Sequence, residues 1–226
     1  MENPWENLPD NPPFILSEDM EAVETFNRKK AGTVLEIMLE QLPSPYTGNP
    51  EAPVVFLNGN PGYEPDDSDE QTQTLLNILS RANFLHQFGD YPFQPLNPQF
   101  ANSIPSGYRW WTQRLKPLIS AVGIGAQKVS ERIFCAEYFP YHSKKYGWSG
   151  GVLPSQRYTV ALVESALSRG AVIIIMRGKK VWLEAINALT KYPNVFTLNS
   201  PQYVIISEKN LGAEAFRRVI TRIREG

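Results

Sequence analysis

The fold of this chain is indicated first by VVFLNGNPG, residues 54–62. Its first four residues are apolar, and such a short apolar run after a proline is typical of a buried β-strand. The next five residues, NGNPG, are rich in turn-forming types. The segment therefore predicts a buried strand that ends in a tight turn.

Downstream of this segment, strand and helix patterns alternate. Apolar runs predict three further strands, at 132–138, 171–176 and 195–198, and helical periodicity predicts helices around them. Such alternation is typical of a parallel sheet covered by helices on both faces. We therefore predict a three-layer α/β/α sandwich with a central four-stranded parallel sheet. The predicted helices are 20–42, 71–88, 108–122, 155–168, 179–189 and 207–224, and 91–107 is predicted to be a long loop.

The composition fits one domain. Of 226 residues, 42% are hydrophobic and 20% are charged, which is enough apolar material for one sizeable core. Proline is concentrated near the amino terminus. We therefore expect residues 1–16 to form a proline-rich segment and residues 17–226 to form a single α/β/α domain.

Simple counts exclude several classes of protein. With 22 basic and 23 acidic residues the net charge is −1, so any site for a polyanion must be local. The single Cys135 excludes an intramolecular disulfide, and two histidines exclude a histidine-cysteine zinc cluster. No apolar run approaches the roughly 20 residues that cross a membrane, and the amino terminus is acidic. We expect a cytoplasmic protein with no membrane partner, no metal and no cofactor.

Polar residues follow every predicted strand. In a parallel sheet these loops meet at one edge, where ligands bind. Taken singly, each loop is explained by an ordinary solvated turn. Together they predict a site for a phosphate-bearing ligand, because two of them are basic. The five cations are Lys144, Lys145, Arg177, Lys179 and Lys180.

Two of these loops resemble the signature motifs of the uracil-DNA glycosylase superfamily. The first is NGNPG at 58–62, and its closest likeness is to the mismatch-specific branch, whose motif has the form G-I-N-P-G. The second, TLNSP at 197–201, resembles that branch's N-P-S. Asn58 stands where the family usually has glycine, and Ser200 separates Asn199 from Pro201. The resemblance spans residues 52–224 and implies the fold of that superfamily.

The resemblance implies roles for the first motif. Hydrolysis of an N-glycosidic bond requires a water held against the anomeric carbon while negative charge collects on the departing base. By resemblance Asn60 would orient this water, Pro61 would fix the turn, and Gly62 would let the base approach the backbone. The alternative for Asn60 is an ordinary turn asparagine. The rest of the pocket around this motif would be Asn58, Gly59 and Tyr63.

Further candidates follow the second and fourth predicted strands. They stand where the family places groups that contact the extracted base or the minor groove. Glu137 would accept a hydrogen bond from the amino group of a cytosine-like base. The alternatives are core packing for the aromatic residues, an exposed loop position for the histidine, and helix capping for the last two. These candidates are Phe139, Tyr141, His142, Asn199 and Gln202.

The resemblance therefore implies a monofunctional DNA glycosylase that flips a pyrimidine-like base out of DNA and hydrolyses its glycosidic bond, with Asn60 and Asn199 as catalytic residues. The alternative is an inactive protein of the same fold that binds a nucleotide, a nucleic acid or a protein partner. The first motif and the basic edge favour the enzyme. The altered second motif and the near-neutral charge favour the binding protein.

Overall fold

The computed structural model describes residues 1–63, 70–102 and 105–225, and the chain is mixed α/β. Within these ranges no helix is both long enough and apolar enough to cross a membrane. The strands are β1 (Ile37–Met38), β2 (Tyr46–Gly48), β3 (Val54–Asn58), β4 (Ile133–Glu137), β5 (His142–Ser143), β6 (Val172–Ile175) and β7 (Val195–Thr197). The helices are α1 (Met20–Lys30), α2 (Glu70–Phe84), α3 (Pro105–Val122), α4 (Gly125–Glu131), α5 (Gln156–Ser168), α6 (Lys179–Ala185), α7 (Glu208–Leu211) and α8 (Ala213–Glu225).

The main sheet has five strands in the order β2-β4-β3-β6-β7. The four predicted strands, β3, β4, β6 and β7, run parallel and are confirmed. The prediction of four strands is incomplete, because β2 pairs antiparallel with β4 at the edge. Only three residues of β2 pair, so its sequence lacks the apolar run that marks the other strands. Separately, β1 and β5 form a two-stranded antiparallel sheet.

Side chains of β3 alternate between two hydrophobic layers. Val55 and Leu57 join the layer that contains residues of α1, α5 and α6. Val54 and Phe56 join the layer that contains residues of α3, α4 and α8. Helices therefore cover both faces of the sheet, an arrangement compatible with a three-layer α/β/α sandwich.

Residues 1–16, the proline-rich segment, pack into the first of these layers. Their apolar side chains supply part of the same core that contains Val55 and Leu57. The segment is therefore continuous with the domain in its packing. Its buried side chains are Trp5, Leu8, Phe14, Ile15 and Leu16.

The buried carboxyl group of Asp19, just after this segment, forms hydrogen bonds with distant parts of the chain. It accepts hydrogen bonds from the hydroxyl of Tyr141, at 2.8 Å, and from the hydroxyl and the backbone N–H of Ser155. Burial raises the pKa of Asp19, and the three hydrogen bonds lower it. Asp19 thus joins the start of α1 to the loop before β5 and to the start of α5.

Four predicted helices are wrong in extent. Those at 71–88 and 179–189 end at Phe84 and Ala185, and α4 has no counterpart among the predicted helices. The helix predicted at 20–42 ends at Lys30, and Gly32 then adopts φ of +71°, a conformation that glycine tolerates and a continuing helix forbids. The residues predicted as its last turns include β1. The helix predicted at 207–224 is divided into α7 and α8 at Gly212, where φ is +88°. The predicted loop at 91–107 contains two short 3-10 turns and the start of α3.

Candidate functional site

The carboxyl ends of the four parallel strands lie at one edge of the sheet. Asn58 pairs with Glu137, and Ile175 pairs with both Leu57 and Thr197. The loops after β3, β4, β6 and β7 therefore leave the sheet side by side, as the sequence predicts. We call this edge the carboxyl edge.

Hydrogen bonds fix the turn that follows β3. The backbone N–H groups of Tyr138 and Phe139 donate to the carbonyls of Asn58 and Gly59, at 3.1 and 2.8 Å. The indole N–H of Trp182, from α6, also donates to the Asn58 carbonyl, at 2.7 Å. The turn is therefore held from two neighbouring elements, and its side chains have a defined direction.

The side chain of Asn60 is oriented by its amide nitrogen. Nδ2 donates to the carbonyl of Pro61, at 3.0 Å, and to Oγ of Ser143 in β5, at 2.9 Å. Oγ of Ser143 donates in turn to the carbonyl of Lys145. Among the described residues no group donates to Oδ1 of Asn60. An oriented amide thus presents an acceptor oxygen at the carboxyl edge.

His142 fastens the same turn to β5. Its Nδ1 lies 2.6 Å from the carbonyl oxygen of Gly62, and its Nε2 lies 3.3 Å from Oγ of Ser44. A carbonyl only accepts, so Nδ1 carries a proton. The structure therefore brings His142 to the predicted turn, where its ring contacts protein groups.

Asn58 and Glu137 form a buried polar pair at the last rung of β3 and β4. Nδ2 of Asn58 donates to Oε1 of Glu137, at 3.0 Å. Their other side-chain oxygens, Oδ1 of Asn58 and Oε2 of Glu137, are buried without a hydrogen-bond partner among the described residues. Buried polar atoms nearly always have partners, so such a pair points to a missing ligand or water.

Burial favours the neutral form of the Glu137 carboxyl group. Burial raises the pKa of its carboxyl group from 4.5 to about 8, although the Asn58 hydrogen bond and the charge of Arg177 lower it. Because Oε1 accepts from Asn58, the proton belongs on Oε2. Glu137 therefore offers a hydrogen-bond donor at neutral pH, whereas the sequence predicted an acceptor.

The predicted cations are exposed at the carboxyl edge: three lie in the loops after β5 and β6, and Lys179 and Lys180 begin α6. Nζ of Lys144 lies 5.9 Å from the centre of the Tyr63 ring, and Lys180 forms an ion pair with Glu184 at 3.9 Å. These contacts are weak because both partners are solvated. The cations therefore remain available to an anionic ligand. All five are exposed, namely Lys144, Lys145, Arg177, Lys179 and Lys180.

Two aromatic candidates, Phe139 and Tyr141, lie in the core. Phe139 stacks on Trp148 with ring centres 4.8 Å apart and is 1% exposed. The Tyr141 hydroxyl binds Asp19 and the N–H of Leu16. The structure therefore does not bring these two side chains to the surface of the carboxyl edge, and it agrees with the packing alternative.

The loop after β7 is organised by a residue that the sequence did not single out. The side chain of Asn210, in α7, accepts from the N–H of Ser200 and donates to the carbonyls of Tyr203 and Ile205. Asn199 is exposed, and its Nδ2 donates to the carbonyl of Lys209, at 3.3 Å. Gln202 lies exposed in the following 3-10 turn.

Three further residues at this edge were also not predicted. These are Ser143, Trp110 and Arg114. Oγ of Ser143 accepts a hydrogen bond from the amide of Asn60, and the ring of Trp110 lies beside the guanidinium groups of Arg114 and Arg177. A signal for α3 existed, because Trp110 and Arg114 are four residues apart on a predicted helix. The contact with Arg177 has no local signal.

Comparison with protein-family models, with curated proteins and with solved structures finds no match for this chain. Within the described ranges, no group of three or more histidine, cysteine, aspartate or glutamate side chains could hold a metal ion.

Glu137 predicts a pH-dependent stability. Its pKa is higher in the folded chain than in the unfolded chain, so its stabilising contribution is complete below pH 4.5 and disappears as the pH rises through about 8. In Glu137→Gln this loss is absent, so the free energy of unfolding of the variant, relative to wild type, should rise by up to a few kcal/mol between pH 6 and pH 9. Urea denaturation at both pH values measures this difference.

The control for this experiment is Glu21→Gln, which changes an exposed glutamate of α1. Its difference from wild type should stay constant with pH. A constant difference for Glu137→Gln as well would contradict the neutral, buried carboxyl group.

Proposed function

We propose that this chain is a monofunctional DNA glycosylase with a uracil-DNA glycosylase-like fold, and that it acts on a flipped, pyrimidine-like base at the carboxyl edge. The observation that carries the proposal is the geometry of Asn60. Its amide nitrogen is held by Ser143 and Pro61, and its Oδ1 has no donor among the described residues. The resemblance of residues 58–62 to the superfamily's first motif supports the same assignment.

Asn60 acts on water without acting as a base. Oδ1 accepts a hydrogen bond from one water, which directs a lone pair of that water toward the anomeric carbon. The new C–O bond forms as the C–N bond breaks, and the electron pair of the C–N bond leaves with the base. The water then gives its proton to solvent. Electrostatic positioning of this kind usually accounts for much of an enzyme's rate enhancement.

Asn58 and Glu137 recognise the base. The Oε2 hydroxyl of neutral Glu137 donates, and Oδ1 of Asn58 accepts, so the pair complements a base edge with an acceptor beside a donor. Pyrimidines carry such an edge, as oxygen beside N–H in uracil or as N3 beside the amino group in cytosine. Glu137 also stabilises the negative charge on the departing base, because a neutral acid donates to it without cost of ionisation. Arg177 lies next to Gly59, and its charge acts on Glu137.

A second candidate function is a binding protein of the same fold without catalytic activity. The loop after β7 favours it, because the amide of Asn199 is used by α7 and the loop conformation is set by Asn210. In this case the same carboxyl edge would hold a nucleotide or a nucleic acid.

The proposal predicts that Asn60→Ala abolishes most base release. The rate should fall by roughly a hundredfold or more, because one positioned electrostatic group is removed, while folding and DNA binding change little. The measurement is the formation of abasic sites in short duplex and single-stranded DNA, each with one modified base from a panel of lesions.

Two further variants sharpen this test. Ser143→Ala frees the Asn60 amide and should reduce the rate several-fold, whereas Asn49→Ala changes a turn asparagine at the opposite edge and should have no effect. Equal rates for Asn60→Ala and wild type would refute the catalytic assignment. If no lesion is a substrate of the wild type, the second candidate function, binding without catalysis, is favoured.

Glu137 predicts the pH dependence of the reaction. Base release by the wild type should decline as the pH rises through about 8, because the ionised carboxylate can no longer donate to the base. Glu137→Gln keeps a donor at every pH and should show a flat profile between pH 7 and pH 9. Single-turnover rates across this range test the assignment, and an identical decline in both proteins would contradict it.

Lys144 and Lys145 predict a salt-dependent affinity. Because both are exposed beside the candidate site, their replacement by alanine should weaken binding to DNA. The slope of log affinity against log salt should fall by up to about two, if each lysine contacts one phosphate. Fluorescence anisotropy with a labelled oligonucleotide at several salt concentrations measures the slope. An unchanged slope would remove these lysines from the DNA-binding surface.

A further inference from the structure

Two arginines from separate parts of the chain converge on one indole ring at the carboxyl edge. Cζ of Arg114, in α3, lies 4.7 Å from the centre of the Trp110 ring. Cζ of Arg177, which follows β6, lies 6.0 Å from the same centre. Both guanidinium groups are therefore within cation–π distance of Trp110.

Trp110 itself is anchored to the core. It packs edge to face against Trp111 with ring centres 4.7 Å apart. Trp111 in turn contacts Phe93, at 4.8 Å, and Phe56 of β3, at 6.2 Å. These ring contacts hold the indole of Trp110 in place, and the indole in turn positions the two guanidinium groups.

The two positive charges are not neutralised within the described parts of the chain. Neither arginine forms an ion pair there, and burial favours the neutral form of the carboxyl group of Glu137, which interacts with Arg177. Burial lowers the pKa of Arg114, and the charge of Arg177 lowers it further. Nε of Arg114 is buried and has no hydrogen-bond partner among the residues that the structure describes. Two like charges within 6.0 Å of the centre of one indole ring repel each other, and an anion bound by both would relieve that repulsion.

We propose that Arg114 and Arg177, positioned by Trp110, form a binding site for one phosphate group. The planar fork of a guanidinium group matches the oxygens of a phosphate, and two forks can share one phosphate. Cβ of Arg177 lies 4.0 Å from the place that a Cβ atom on Gly59 would take, so Arg177 starts beside the turn of residues 58–62. The bound group is a phosphodiester of DNA close to the flipped nucleotide. In that respect the inference rests on the proposed function, whereas the anion site itself does not.

The test measures binding alone, so it is independent of base release. The probe is a labelled single-stranded oligonucleotide of unmodified bases, and affinity is followed by fluorescence anisotropy at several salt concentrations. The variants are Arg114→Gln, Arg177→Gln and the double variant. The control is Arg217→Gln, which removes an exposed arginine of α8.

Each single variant should weaken binding roughly tenfold, and the control should bind as wild type does. Because both arginines contact the same phosphate, the double variant should lose less than the product of the two single losses. The salt slope should fall by about one in the single and the double variants alike. Independent losses, with a slope that falls by two in the double variant, would overturn the shared site, as would wild-type binding by Arg114→Gln.

Arg114→Lys separates the charge from the fork, and it keeps the proposal testable if Arg114→Gln fails to fold. It should retain the salt slope and still lose several-fold in affinity, because lysine binds phosphate as a point charge. Wild-type affinity in Arg114→Lys would overturn the bidentate site.

A second arm identifies the source of the phosphate. Pyrophosphate is titrated against the intrinsic tryptophan fluorescence of the same proteins. If it quenches the wild type but not the arginine variants while DNA binding is equal in all of them, the ligand is a small phosphate compound and the phosphodiester assignment is overturned. Failure of all lesions as substrates, with the expected loss of oligonucleotide binding, would refute the glycosylase and support this site.

Discussion

The parallel pairing of β3 with β4 on one side and β6 on the other is the constraint on which the rest of the structure depends. All five residues of β3 are buried, so its alternation fixes which side chains enter each hydrophobic layer. If the register of β3 shifted by one residue, the side chains that now face one hydrophobic layer would face the other. The same register places Asn58 opposite Glu137. The packing of the core thus determines where the polar pair of the site lies.

The sequence predicted those elements that are encoded by a local pattern of apolar and turn-forming residues. The four parallel strands are apolar runs bounded by turn residues, and all four are confirmed. The helix predicted at 20–42 was wrong because residues 37–38 pair with β5, more than 100 positions away, and periodicity contains no such information. The edge strand β2 was missed because it has only three residues and no apolar run. Its close approach to β4 is visible only in the structure, where a Cβ atom on Gly48 would lie 2.7 Å from the carbonyl oxygen of Ile133.

In the candidate site, too, the sequence predicts local features but not contacts between distant residues. The turn at Asn60 was predicted from its own residues, but the partner of its amide, Ser143, is 83 positions away. Glu137 was predicted as an acceptor because a glutamate in water is ionised. Its neutral state follows from burial, which only the folded chain reveals. The edge therefore combines an uncharged interior, which supplies hydrogen bonds, with an exposed cationic surface, in a protein whose net charge is −1.

The buried Asp19 has a consequence for the order of folding. Its partners Tyr141 and Ser155 follow it by 122 and 136 residues. The carboxyl group of Asp19 therefore lacks these hydrogen bonds until the chain as far as Ser155 is present. The hydrophobic layer that contains Trp5 also includes residues of β4, α5 and α6, so Trp5 is fully packed only when those elements have folded. Contacts between residues so far apart in sequence form slowly, because closing a long loop costs conformational entropy before the contact contributes any stabilisation. Asp19 and the apolar residues before it are thus among the last of the described residues to reach their native positions.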